Sequence, residues 1–165
     1  MGDRTTVTLV VRSKDVLENQ ALFEDFDDSH THKTLTTLTY YDANYGTLDF
    51  EGALQDKKIP YDKSWDNGST FSGGTEYCRI RSSGTVEVKE FSANTEGSIN
   101  VDEALEAYKQ GNIESFLHDK KMETTVMDWD EQEAIIQTLA SKQSTTKLNP
   151  VTIISVTNTH HHINR

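Results

Sequence analysis

The sequence predicts an α+β fold: a mixed or antiparallel sheet of about four or five strands with two packed helices, followed by a helical C-terminal segment. Three observations carry this. Runs rich in β-branched residues, alternating with period two, recur as far as Phe91. Two short segments with helical spacing interrupt them. From Asn100 the alternation stops and helical spacing takes over.

Thr5 to Arg12 reads as a strand with Val7, Leu9 and Val11 on one face. Ser13 is a candidate N-cap for a helix through about Glu24, with Val16, Leu17, Ala21 and Leu22 at helical spacing. A polar loop from Glu24 to His30 follows. Lys33 to Tyr41 is the next strand, closed by a turn at Asp42 to Gly46, where glycine tolerates positive φ. Leu48 to Lys57 reads as a short helix. Ile59-Pro60-Tyr61 opens an extended segment, because Pro60 cannot continue a helix. Asp66 to Gly74 is a loop. Thr75 to Arg81 and Thr85 to Phe91 are strands joined by Ser82-Ser83-Gly84.

Beyond these, Asn100 caps a helix carrying Val101, Ala104, Leu105 and Tyr108, and Gly111 ends it. Asn112 starts a second helix with Ile113, Phe116 and Leu117. Asp128 or Asp130 caps a third with Ala134, Ile135, Leu139 and Ala140. Lys142 to Leu148 reads as a polar linker, Val151 to Val156 as strand-like, and His160 to Arg165 as a frayed tail. The expected organisation is therefore a sheet domain over 1–95, an acidic helical segment over 96–148 packed on it, and a terminal run over 149–165.

The 165 residues suit one domain that folds without staples. The formal net charge of −11, from 16 basic and 27 acidic residues, argues against direct nucleic-acid binding and against adsorption to anionic membranes. It permits a basic protein partner. One cysteine, Cys78, excludes an internal disulfide and is expected in the core. The chain opens without an apolar leader and holds no apolar run of about 18 residues, so the cytoplasm is the expected compartment.

Several groups are candidates for chemistry. His30 and His32, two apart, would share a strand face and can grip a metal or serve a small enzyme with neighbouring carboxylates. No third or fourth ligand is spaced to complete a site, and His118 and His160 to His162 lie far off in sequence. No metal or cofactor is expected. Glu51, Asp56 and Asp62 are candidate acid–base carboxylates. Gly68 to Gly74 lacks the Gly-Lys-Ser/Thr ending of a phosphate loop, yet it can form a backbone anion nest or a small-ligand lip. Tyr40 to Ile80 concentrates aromatic residues and glycines, either as core or as contact surface, with Trp65 and Phe71 expected to be partly exposed in the loop. Acids crowd the region from Glu96 to Glu133, opposed only by Lys109, Lys120 and Lys121. Asp102 and Glu106 share a helix face at four-residue spacing.

The run Tyr41-Asp42-Ala43-Asn44-Tyr45-Gly46-Thr47-Leu48-Asp49-Phe50-Glu51, then Ile59 to Trp65, then Gly73 to Arg79, resembles small acidic accessory proteins of bacteriophages and mobile elements. The resemblance spans roughly residues 5 to 92 and carries no catalytic residues over. It implies an inhibitor of host defence or nucleic-acid enzymes acting by DNA mimicry. The expected function is a non-catalytic acidic protein-binding module. Its partner surface is expected at Asp102, Glu103, Glu106, Asp128, Asp130 and Glu131, or at Trp65 and Phe71. The partner would carry a basic nucleic-acid-binding surface, and an exposed aromatic patch would also allow a homo-oligomer.

Overall fold

The computed structural model describes residues 3–93 and 98–146. Glu96, the run over Val151 to Val156 and the histidine tail lie outside the described residues. The described chain forms β1 (Arg4–Arg12), α1 (Ser13–Glu18), β2 (Asp28–His32), β3 (Leu35–Asn44), α2 (Glu51–Asp56), β4 (Tyr61–Trp65), β5 (Gly74–Ile80), β6 (Val86–Ser92), α3 (Val101–Lys109), α4 (Ile113–Thr124) and α5 (Trp129–Thr146). The class is α+β as expected, but the sheet has six strands, in the order β2-β3-β1-β4-β5-β6, with every neighbouring pair antiparallel.

The strand alternation builds the core. Val7, Leu9 and Val11 of central β1 are fully buried on one face. The register places Leu9 between Leu38 and Lys63, Val7 between Tyr40 and Trp65, and Val11 between Thr36 and Tyr61. Continuing across β5 and β6, the middle row reads Leu38, Leu9, Lys63, Glu76, Glu90. Along this row the sheet face is thus apolar on β3 and β1 and charged on β4 to β6, while the neighbouring row through Val11, Tyr61 and Cys78 stays in the core. Phe23, Leu48, Leu54 and Ile59, delivered by the segments around α1 and α2, cover the apolar half. Cys78 is fully buried there, as expected.

Four expectations need correction. Asp28 to His32 lies within or beside the expected loop but is an edge strand. All five residues are exposed, so no apolar alternation announces it. It forms because the free edge of β3 offers unpaired backbone groups, which it takes up in register from Asp28 opposite Thr39 to His32 opposite Leu35. The helix expected to Glu24 stops at Glu18, and a 3-10 turn at Gln20–Leu22 then drops Phe23 into the core. Leu48 lies before α2, not in it. Lys142 to Thr146 continues α5 rather than forming a linker.

The opposite sheet face carries Thr8, Val10, Thr37, Thr39 and Ser64, and it is covered at one end by the segment before α5 and by α5 itself. Gln132 is completely buried and pairs its amide with Ile80, accepting from the backbone N–H at 2.8 Å and donating to the carbonyl at 3.3 Å. Arg79 is buried beside it and donates to the Met127 carbonyl at 2.8 Å. The turn expected from Asp42 begins only after Asn44, because β3 runs that far in pairing with β1, whereas the signals around α3 act as expected. Asn100 Oδ1 accepts from the Asp102 and Glu103 N–H groups, and Gly111 takes φ of 75° where α3 ends. Among the described residues, no helix is long and apolar enough to cross a membrane.

Burial has a titration consequence. It pushes the Cys78 thiol up to about 12, with the neighbouring Arg79 charge only partly opposing it. The unfolded thiol ionises near 9, so above that pH the unfolded chain holds fewer protons than the native one. Stability from this group is therefore intact below about pH 9 and falls as pH rises towards 12. A loss of about 2 kcal/mol by pH 11 is expected. Urea unfolding of wild type and Cys78→Ala from pH 8 to 11 checks this, because the variant should show a shallower decline.

Candidate functional site

The charged half of the core face is the most elaborate polar site in the structure. Lys63, only 4 % exposed, donates to Glu51 Oε1 at 2.8 Å and lies 3.7 Å from Glu76 Oε1. Tyr61 donates its hydroxyl proton to Glu76 at 2.6 Å and accepts from the Gln55 amide at 3.0 Å. Burial raises the Tyr61 hydroxyl pKa first and the bond to Glu76 second, so it stays protonated. Glu51 also accepts the Leu48 N–H at 2.7 Å, which ties the entry of α2 to the cluster. One buried ammonium thus faces two carboxylates, an arrangement that rarely repays its desolvation in stability alone.

The cluster opens into a cleft of about 400 Å³, walled by Tyr45, Trp65 and Phe71 and rimmed by Glu90. Lys63 Nζ lies 5.0 Å from the centroid of the Trp65 ring, within cation–π range. Trp65 is the last residue of β4, not a loop residue, and it is half-buried. It sits in a slot between two glycines. A Cβ on Gly46, which holds φ of 70°, would come within 2.7 Å of the indole, and one on Gly74 within 2.6 Å. The aromatic–glycine concentration in the sequence is in this respect a packing device. Phe71 is also half-buried and meets Tyr45 at 5.8 Å between ring centroids. Both aromatic residues therefore keep one side on the cleft.

The glycine-rich loop beside them is an anion nest, and its anion is internal. Asp3 Oδ2 accepts from the Thr70 N–H at 2.8 Å, from Ser69 Oγ at 2.9 Å and from Thr70 Oγ1 at 3.1 Å. Those bonds, the Thr70 N–H foremost, hold the Asp3 carboxyl below its usual range. Gly73 N–H donates to Asn67 Oδ1 at 2.6 Å. These donors are already committed, so the loop serves to shape the cleft wall.

The helical acids divide into two kinds. Asp102, Glu103 and Glu106 are exposed on α3. Asp128, Asp130 and Glu131 are also exposed, but they form the start of α5. Asp128 Oδ1 accepts the Glu131 N–H at 2.8 Å as a cap, and Asp130 and Glu131 sit in the first turn, where acids favour the helix dipole. Local helix stability accounts for that trio without a partner.

Of the acid–base candidates, Asp62 is committed to Arg79 at 2.6 Å and to the Trp129 indole N–H at 2.8 Å, and Glu51 to Lys63. Asp56 is exposed at the end of α2. His30 and His32 are exposed on edge strand β2, on the same face as Asp28. Among the described residues no group of three or more His, Cys, Asp or Glu side chains can hold a metal ion.

Sequence reasoning missed Lys63 and Glu76 as site residues. The signal was present: Lys63 alternates with Tyr61 and Trp65, and Glu76 with Gly74 and Cys78, so each charge occupies an inward strand position. No family model, no curated protein and no solved structure matches this chain.

Proposed function

We propose that this chain is a non-catalytic, acidic protein-binding module. In its sharpest form it is an inhibitor or modulator, of phage or mobile-element type, that engages the basic surface of a nucleic-acid-handling or defence protein. One observation carries the reading. Val101, Leu105 and Tyr108 of α3 are 70 %, 50 % and 71 % exposed. They recur at i, i+4 and i+7 and so form one stripe, beside the exposed Asp102, Glu103 and Glu106. Scattered exposed apolar residues are ordinary, but three in a stripe on one helix mark a contact face. An acidic amphipathic helix suits a groove that is apolar at its centre and basic at its rim. The stripe favours a protein groove over imitation of phosphates by charge alone.

The test is affinity capture from lysate at low and high salt, comparing wild type with Asp102→Asn/Glu103→Gln/Glu106→Gln and with Val101→Ser/Leu105→Ser/Tyr108→Ser. The expected partner is basic and is displaced by duplex DNA. The charge variant should lose about tenfold in affinity at low salt, and the stripe variant should lose the salt-resistant part. Capture that neither variant alters would sink the proposal.

A second reading, a small-ligand-binding module, is favoured by the cleft itself. A buried Lys63 between two carboxylates, beside an aromatic wall, offers a polar seat for a flat molecule. Thermal stabilisation in a metabolite screen, lost in Phe71→Ala, would support it.

A further inference from the structure

Beside the lysine cleft, with which it shares Thr47, lies a second cleft, of about 470 Å³, between the 24–27 turn and the end of β3. Five carboxylates line it, those of Glu24, Asp25, Asp27, Asp42 and Asp49, against the single guanidinium of Arg4. Arg4 is already spent on Asp42, donating to its carbonyl at 2.7 Å with its Nε 3.8 Å from Oδ1. Asp27 accepts the Tyr41 N–H at 2.7 Å. Glu24, Asp25 and Asp49 have no cationic partner among the described residues.

A cluster of acids is by itself only a solvated surface. Tyr40 makes this one different. Its side chain lines the same cleft and is 7 % exposed, yet its hydroxyl makes no hydrogen bond to any described residue. A buried hydroxyl without a partner is costly, and native structures keep few of them. Burial, and then the charge of Asp25, push its pKa up to about 12, so it stays neutral and offers both a proton and lone pairs. Asp25 forms the lip at φ of 65°, an uncommon conformation for a residue other than glycine, so this part of the wall loses least by shifting.

We propose that this cleft seats an organic cation bearing N–H donors, a guanidinium or a primary ammonium. Such a group donates to the unpaired carboxylates at the mouth and, once the Asp25 lip shifts, to the Tyr40 oxygen sealed beneath it, and the Phe50 ring, 5.9 Å from that of Tyr40, forms an apolar side wall for its carbon stem. A metal ion fits less well, because no three of the described carboxylates are placed to ligate one. The inference stands apart from the α3 surface, and either can fail alone.

The experiment is calorimetric titration of the full chain with agmatine, with a blocked Gly-Arg-Gly peptide and with calcium chloride. Binding of agmatine, of the peptide or of both is expected, and their ratio tells a free amine from an arginine side chain on a protein. Tyr40→Phe should weaken binding about tenfold while leaving the melting temperature unchanged or raised, since it removes an unpaired hydroxyl. Asp25→Asn/Asp49→Asn should weaken it about fivefold or more. Absence of heat with both cations, a response to calcium alone, or equal binding by both variants would each overturn the proposal.

Discussion

Arg79→Ala should lower stability by about 3–5 kcal/mol and release the C-terminal helix from the sheet. Arg79 is 3 % exposed, and each of its three guanidinium nitrogens has a partner. It donates to the carbonyls of Met127, Tyr61 and Cys78 and pairs with Asp62 at 2.6 Å. Its Cζ lies 4.7 Å from the Trp129 ring centroid, while the Trp129 indole N–H donates to the same Asp62 carboxylate. Truncation leaves Asp62 charged and half-buried without its counter-ion, and takes away the donor that ties the Met127 carbonyl to the sheet. Arg79→Lys should recover little, because an ammonium cannot reproduce the fork or the stacking. Trp129→Phe should cost only about 1 kcal/mol, since the ring remains and one hydrogen bond is lost.

Hydrogen exchange locates the damage. In Arg79→Ala the amides of α5 should lose protection, while those of β1 and β3 keep theirs, because the apolar core under α1 and α2 contains no part of α5. A loss below about 1 kcal/mol, or uniform deprotection of the whole sheet, would show that the cluster does not anchor the helical half.

How far the sequence announces this architecture depends on where the driving force lies. Val7, Leu9 and Val11 alternate because one face of β1 is buried, and that pattern is legible. Asn100 and Gly111 bound α3 by local chemistry, which is equally legible. Strand β2 is not, because Asp28 to His32 gains its structure from the edge of β3 and not from its own side chains. The candidate sites follow the same division. Exposed carboxylates on α3 are visible from composition and spacing. The lysine cluster is assembled from α2, β4 and β5, and the acidic cleft from residues spread over Arg4 to Phe50. Register across three strands decides those meetings, and no local pattern encodes it. Tyr40 reads as one more aromatic in an alternating strand, and only the fold shows that its hydroxyl is left unpaired.

Lys63→Met should prove the other large effect, a loss of about 3–5 kcal/mol, because it strands Glu51 and Glu76 without their shared counter-ion. The informative comparison is with Lys63→Met/Glu51→Gln/Glu76→Gln. Replacing a whole buried ionic cluster by neutral groups of similar volume is often neutral or stabilising, whereas breaking it is not. The triple variant is therefore expected to return to within about 1 kcal/mol of wild type in urea unfolding. That result would mean that the charges are dispensable for folding, and that a costly ionic cluster is held at the mouth of an aromatic cleft for what it contacts there. If the triple variant were as unstable as Lys63→Met, the cluster would be a structural strut joining α2 to β4 and β5. The small-ligand reading of the cleft would then lose its main support. A cost below about 1 kcal/mol for Lys63→Met alone would show that water reaches the two carboxylates, and that Lys63 is not the keystone its burial implies.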